Sequence, residues 1–467
     1  MLATVAALIA ARPGPAVPPL LSDGIAQRPC APGRLVAVPA GSRSRYLAGT
    51  SVLRSTSPCA PAAVAASRAW LASGIIPGTT PTQRSMATRA LLDLRLLTRP
   101  GGAVLAGWHS GWADTWPRDS SWAAAALAAT GHSAEALGVL EFLRRMQSRD
   151  GTWAARYWPD GSGPVRDGRP AELDAVGWVP WAVWSWYTAP GRRNPAALAG
   201  LWPMVTAAAD AASRSLSASG LPVASMDYWE DSVQVTLANA AALRAGLRAA
   251  ADLARLRGDA GQARRWGAVA ARLTRAIGTG FGGYGYHRLP FTDSGTDTAV
   301  TFLGPPFAAG SPAVATAVRG TETSVRLPGG GMLPGSSWPG NRTLAWTPET
   351  AFFALYDAST GQHRAAAGIL SWLAAHRTRL GELPEQVNSR GQPASVAPLA
   401  WTDAVVLLAL VSQQHPFPVL PCPCRAASTA VRMYRPRRWS RPGWLPWPGR
   451  GAAGCARTPC HRARCPG

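Results

Sequence analysis

The sequence predicts an all-α protein in which helix pairs close into a ring. Three observations predict it. From about residue 59 to 413, apolar residues recur at three- and four-residue spacing in segment after segment. Strand patterns are few and short. Long connections rich in Trp, Gly and Pro fall between alternate helices, as a mouth lined for binding would require. A stacked solenoid would also absorb many helices, but it needs a fixed sequence period, and none is present.

The elements follow in order. Residues 1–58 are rich in Pro, Gly and Ser and read as a mostly irregular leader. Ala, Leu and Arg content with helical spacing gives helices near 60–73, 82–98, 119–130, 133–149, 172–187, 195–217, 232–257 and 259–277. Further helices fall near 296–303, 311–318, 348–359, 362–377 and 398–412. Start signals support four of them: Asp119-Ser120, Ser133 before Glu135, Asp231-Ser232 and Thr347-Pro348-Glu349. A helical stripe must be buried against another element, so twelve or thirteen helices imply one large barrel over 59–413. Residues 414–467 read as a disordered tail.

Composition limits the partners. The formal charge is +22, which ordinarily suggests nucleic acid. Every basic residue is Arg, however, and Ala, Gly and Pro abound, so part of that charge reflects codon bias. Residues 421–467 hold ten arginines, no Asp or Glu, and five of the seven cysteines. They lack any apolar period and cannot bury enough surface to order themselves. A polyanion-binding arm or a zinc site is the alternative there, but the Cys and His spacing fits no zinc framework. Neither a nucleic-acid partner nor a metal or other cofactor is expected. No apolar run is long enough to span a membrane. Met1 to Ala11 resembles a shortened signal peptide without a charged start, which suggests secretion or the cell envelope, with the cytoplasm as the alternative. Cys30 and Cys59 allow one disulfide.

Acids are scarce, 25 in 467 residues, and the two most telling ones lie beside tryptophan. Asp227-Tyr228-Trp229-Glu230-Asp231 carries the first. Leu383-Pro384-Glu385-Gln386-Val387, followed by Trp401, carries the second. Cleaving a glycosidic bond commonly uses two carboxyl groups, one as proton donor and one as base or nucleophile. Sugars also offer an apolar face to an indole. Trp229 is expected to desolvate Glu230 and keep it protonated, while Glu385 stays ionised in a wetter setting. A third group, Trp108, Trp112, Trp116, Arg118 and Asp119, suits a clamp on sugar hydroxyls, since Arg118 offers a fork of donors and Asp119 an acceptor. Gly280, Gly282 and Gly285 match G-x-G-x-x-G but follow a helical segment, so a dinucleotide site is not indicated.

These blocks resemble glycoside hydrolase family 15, the glucoamylase family. Trp116-Pro117-Arg118-Asp119 looks like its W-x-R-D. Arg166-Asp167-Gly168 through Glu172-Leu173-Asp174 and Gly177 is similar to its next segment. Asp227 to Asp231 looks like D-x-W-E-E, and Gly381 to Trp401 like the block that ends in the base. The resemblance implies an (α/α)6 barrel, a six-hairpin toroid, with inverting, exo-acting cleavage of α-glucosidic bonds and no cofactor. It implies Glu230 as acid and Glu385 as base, about 6.5–9.5 Å apart. It places Trp116, Arg118, Asp119, Trp229, Asp231, Gln386 and Trp401 around an α-glucan or oligosaccharide. Asp231 stands where fungal members have Glu, and the β-sandwich common before the bacterial barrel is not evident. A trehalase or dextran-type glucosidase on the same barrel, or a non-catalytic glycan-binding barrel, are the other readings.

Overall fold

The computed structural model describes residues 16–421, apart from 32, 55, 190–192 and 416. The expected signal-like start and the Arg-rich residues after 421 lie outside the described residues. The start of the tail expected from 414 is ordered, with Phe417 and Leu420 buried and the Leu420 N–H bonded to the Pro306 carbonyl. Helices account for about half of the described residues, and they stand close to where periodicity puts them. They are α1 Ala60–Ser73, α2 Pro81–Leu97, α3 Pro117–Ala129, α4 Ser133–Met146, α5 Ala175–Thr188 and α6 Pro195–Arg214. Then follow α7 Leu237–Leu256, α8 Ala260–Phe281, α9 Pro312–Val325, α10 Thr347–Ser359, α11 His363–Ala375 and α12 Ala400–Gln414.

Local chemistry sets their ends. Pro opens α2, α3, α6, α9 and α10, where its missing N–H costs nothing. Thr80, Asn194, Thr236 and Asp259 each accept a backbone N–H from the first turn that follows. Two starts differ from the sequence expectation. The cap before α7 is Thr236 rather than Asp231-Ser232, because Ser225 and Gln234 pair across the preceding loop. Asp119 sits inside the first turn of α3 and is no cap, since Pro117 begins the helix. The helix expected at 296–303 is a 3-10 turn, Thr298–Leu303, stopped by Gly304 and Pro305-Pro306.

The packing is ordered in two tiers. Contacts run from α3 to α5, α7, the 3-10 turn, α10 and α12, and from α12 back to α3. Outside them, α4 backs α3, α6 backs α5, α8 backs α7, α9 backs the 3-10 turn, α11 backs α10, and α2 backs α12. Inner helices are covered on every side, so α3 and α12 are buried almost end to end and show no polar face. Outer helices such as α8 keep a single buried stripe. Gly177 of α5 and Gly246 of α7 let two inner backbones touch, since a Cβ on Gly177 would lie 2.1 Å from the Ala242 carbonyl. Trp122, Trp178, Trp181, Phe302, Phe307 and Phe352 interlock at the centre in edge-to-face and tilted pairs, with centroids 4.9–5.9 Å apart.

The leader is more ordered than expected. Strands β1 Gly24–Gln27 and β2 Leu35–Val38 form an antiparallel hairpin, and Cys30 is disulfide-bonded to Cys59 before α1. Ile25 is completely buried, which the low periodicity of 1–58 does not betray. Beyond the hairpin, the leader reaches the loop after α11. Leu21 donates its N–H to Ser395, Ser395 donates back to Pro19, and Ser22 Oγ bonds Ala397. The three short strands β3 Ala345–Trp346, β4 Gln386–Val387 and β5 Pro393–Ala394 form an antiparallel sheet in that order. That sheet joins the start of α10 to the loop carrying Glu385.

Candidate active site

A cavity of about 290 Å³ opens among the loops that precede the inner helices. Seven of the nine predicted site residues line it: Trp116, Arg118, Asp119, Trp229, Glu230, Glu385 and Trp401. Asp231 and Gln386 do not. Asp231 is drawn aside by Arg288 at 3.2 Å, and Gln386 is buried within β4. The two leading acids, 155 positions apart, thus share one cavity wall.

Glu230 is held in a left-handed backbone conformation, φ 53°, which costs a non-glycine residue on the order of 1 kcal/mol. Asp227 supports that turn. Its carbonyl accepts the Glu230 N–H at 2.9 Å, its carboxylate accepts the Trp229 N–H at 3.0 Å, and Arg288 grips both its oxygens. Arg288 also binds Asp297 at 2.8 Å, and Tyr228 donates to Asp297. Asp227 and Arg288 are scaffold residues that the sequence does not mark as such.

The surroundings of Glu230 differ from the expectation. The face of Trp229 is covered by the Arg288 guanidinium, 3.6 Å from the ring centroid, and its edge meets Trp338. Glu230 itself is 28 % exposed and ion-paired with Arg118, at 3.2 Å, and with Arg169. Arginines, and no apolar blanket, are its nearest partners.

Glu385 also reverses the expectation. Burial pushes its carboxyl above the ordinary range; hydrogen bonds from Ser395 and Trp112 oppose this, and the nearby Glu230 charge adds to it. The Trp112 indole N–H donates at 3.1 Å, and Ser395 Oγ binds the other oxygen. Ser395 is left-handed too, φ 64°. Its backbone is paired on both sides by Pro19 and Leu21 of the leader.

Arg118 is the electrostatic hub. It is 4 % exposed, lies 4.9 Å over Trp401, and binds Glu172, Asp174 at 3.3 Å, Glu230 and its neighbour Asp119 at 3.8 Å. Burial holds Asp119 up at about 7 despite Arg118, with the Glu230 charge adding to the rise. Glu172 and Asp174 are raised for the same first reason, burial. The sequence foresaw Arg118 as a fork for sugar hydroxyls, but carboxylates occupy most of the fork.

Trp112, Tyr228, Trp338, Trp346, Arg169 and Glu349 also line the cavity. Trp112 was noticed for its setting, though its bond to Glu385 was not. Glu349 was read only as a helix start, and Arg169 gave no signal beyond its place in a loop. By contrast Trp178, Trp181, Trp184 and Trp186 are all core, and none reaches the cavity. No described helix is long and apolar enough to cross a membrane.

No protein-family model matches the chain. An uncharacterized glycosyl hydrolase of Methanocaldococcus jannaschii is 22 % identical over 349 residues, 69 % of this chain. The chain spans about half, 55 %, of that relative's length. Among solved structures, a glycosidase variant in complex with glucose aligns over 71 % of this chain and 96 % of its own, at TM-score 0.60 and 20 % identity. A bacterial glucoamylase complexed with acarbose aligns over 76 % of this chain and 59 % of its own, at TM-score 0.61 and 16 % identity. Saccharomycopsis fibuligera glucoamylase gives 0.58 at 12 % identity, over 72 % of this chain and 96 % of its own. What this chain shares with those three enzymes is the fold.

Proposed function

We propose that this chain is a glycoside hydrolase of the glucoamylase type, inverting and exo-acting on α-glucosidic bonds. The observation that carries the reading is that Glu230 and Glu385 line one small cavity walled by tryptophan. A cavity of about 290 Å³ suits a terminal sugar ring better than a running polymer, which supports attack from a chain end. The contact path from α3 round to α12 supports a six-hairpin toroid over residues 59–413. The likeness to glucoamylases in fold, and the glycosyl hydrolase relative, support the chemistry.

In this reading Glu230 protonates the leaving oxygen and Glu385 removes a proton from the attacking water. Arg169 contacts Glu230 now, and the leaving oxygen has to approach that same carboxyl. The Arg169 side chain is 42 % exposed and has room to swing away. Asp119, held up by burial, stands ready to bond a hydroxyl. Trp116 and Trp401 offer ring faces, and Arg118 keeps the carboxylates around it in place. The Cys30–Cys59 bond supports secretion or the cell envelope, because disulfides persist in oxidising compartments.

The test is a panel of maltose, maltotriose, starch, dextran and trehalose, followed by NMR from the first seconds. The expected outcome is glucose released as the β-anomer from one or more α-linked substrates. Early α-glucose would refute inversion. Turnover of trehalose or dextran alone would move the assignment to another glucosidase on this barrel. Binding without turnover would leave a glycan-binding barrel.

A further inference from the structure

Glu349 stands third in helix α10, just after Thr347-Pro348, and its side chain lines the cavity. It is 3 % exposed, yet its Oε2 has no hydrogen-bond partner. Buried polar atoms are nearly always paired, and an orphan of this kind costs roughly 1–3 kcal/mol. Such a cost at a cavity wall points to a partner that arrives with the ligand.

Its position is fixed with respect to the proposed base. Thr347 donates its backbone N–H to the Glu385 carbonyl at 3.0 Å, and its hydroxyl bonds the Pro384 carbonyl. The start of α10 and the Glu385 loop therefore move as one piece. Around Glu349 stand Glu385 from that loop, Arg118 of α3, Asp297 before the 3-10 turn, and Tyr228. Burial and the Glu385 charge raise its carboxyl to about 8, against its own backbone N–H and Arg118. At neutral pH it is mainly the uncharged acid, which both donates and accepts.

We propose that Glu349 is a sugar-binding residue, its free oxygen taking one hydroxyl of the terminal sugar that Glu230 and Glu385 attack. This rests on the glycosidase reading above and assigns a contact within it. Two alternatives fail on the same observations. A helix-start role alone does not account for a first-turn carboxyl that faces the cavity with a free oxygen. A structural ion pair is excluded because no cation pairs with it among the described residues.

The experiment is a double-mutant cycle with maltose and its 2-, 3-, 4- and 6-deoxy analogues, deoxygenated on the non-reducing glucose. Glu349→Met removes both hydrogen-bonding oxygens at similar volume. We expect kcat/KM on maltose to fall roughly five- to tenfold, the usual worth of one such bond. One deoxy analogue should lose much less against Glu349→Met than against the wild type, which identifies the hydroxyl held. Glu349→Gln keeps an acceptor and a donor and should restore turnover to within about threefold of wild type. Melting should rise by about 2 °C in Glu349→Met, because the orphaned oxygen is gone. Equal losses on every analogue, or a lowered melting temperature with unchanged kinetics, overturn the proposal and leave the glycosidase reading intact. A wild type inert on the whole glucoside panel overturns both. Should Glu349→Met fail to fold, Glu349→Ala carries the same cycle.

Discussion

The indole N–H of Trp112 meets Oε1 of Glu385 at 3.1 Å, across 273 positions of sequence. With Ser395 on the other oxygen, it offsets part of the rise that burial imposes on this carboxyl. Trp112→Phe removes the donor. The Glu385 carboxyl then titrates at higher pH, so the acid limb of kcat/KM moves upward. At a pH below that limb, activity falls roughly tenfold, as for loss of one hydrogen bond to a charged group. Ser395→Ala should move the limb in the same direction. An unmoved limb in both variants, read from pH–rate profiles, would remove Glu385 as the base.

Glu230→Gln and Glu385→Gln should each lower kcat roughly 10²–10⁴-fold while leaving the fold intact. Circular dichroism and initial rates on the best panel substrate check this together. Full activity in either variant would dissolve the acid–base assignment.

Arg118 binds four carboxylates while nearly buried. Arg118→Met leaves Glu172, Asp174 and Asp119 clustered without their cation. The expected loss is about 3–5 kcal/mol, read by chemical denaturation. Because burial already raises these acids, the variant should recover part of its stability at lower pH. A variant as stable as wild type would mean that the cluster shares its protons without needing Arg118.

Stability should also depend on pH in the wild type. Asp119 is raised from 3.8 to about 7, Asp357 from 3.8 to about 7, and Glu349 from 4.5 to about 8, each first by burial. The folded state thus holds protons that the unfolded chain has released, so its stability declines as pH rises through those folded values. Melting temperature should therefore fall from about pH 4.5, where the unfolded carboxyls have ionised, to about pH 8, where the folded ones have too, and Glu349→Gln should flatten the upper part of the fall. A melting temperature that climbs over this range would contradict the burial of these acids.

The Cys30–Cys59 bond closes a 29-residue separation. Loop-closure entropy gives it a worth of about 3.5 kcal/mol. Reduction, or Cys30→Ser, should lower the melting temperature by several degrees. Turnover at 25 °C should survive, since neither cysteine lines the cavity. An unchanged melting curve would show that the hairpin holds without its staple.

Much of this was legible in sequence, and the limits have physical reasons. Helix positions were readable because burial enforces a period on α2, α7 or α8. The 3-10 turn was read as a helix because spacing cannot separate the two over six residues, and Pro305-Pro306 decides it. Arg118, Asp119, Glu230 and Glu385 were legible as rare polar residues set among tryptophans in loops. Their partners were not. Which cation lies beside Glu230 depends on the fold of the 166–173 loop, and the shielding of Trp229 depends on Arg288, 59 positions later. Adjacency to an indole in sequence is no measure of contact with it. Glu349 was hidden because the same residue type serves equally as an ordinary helix start.

The pairing of Ser22 with Ala397 spans 375 positions, so an early segment of the fold braces a far later one. Residues 19–22 meet their partners at Ser395 and Ala397, beyond both Arg118 and the Glu230 loop in sequence. Without Ser395, Glu385 would keep its bonds to Thr347 and Trp112 but lose the hydroxyl on its second oxygen and the tie from its loop to the leader. Glu385 thus gains its full set of hydrogen bonds only when two segments far apart in sequence have met.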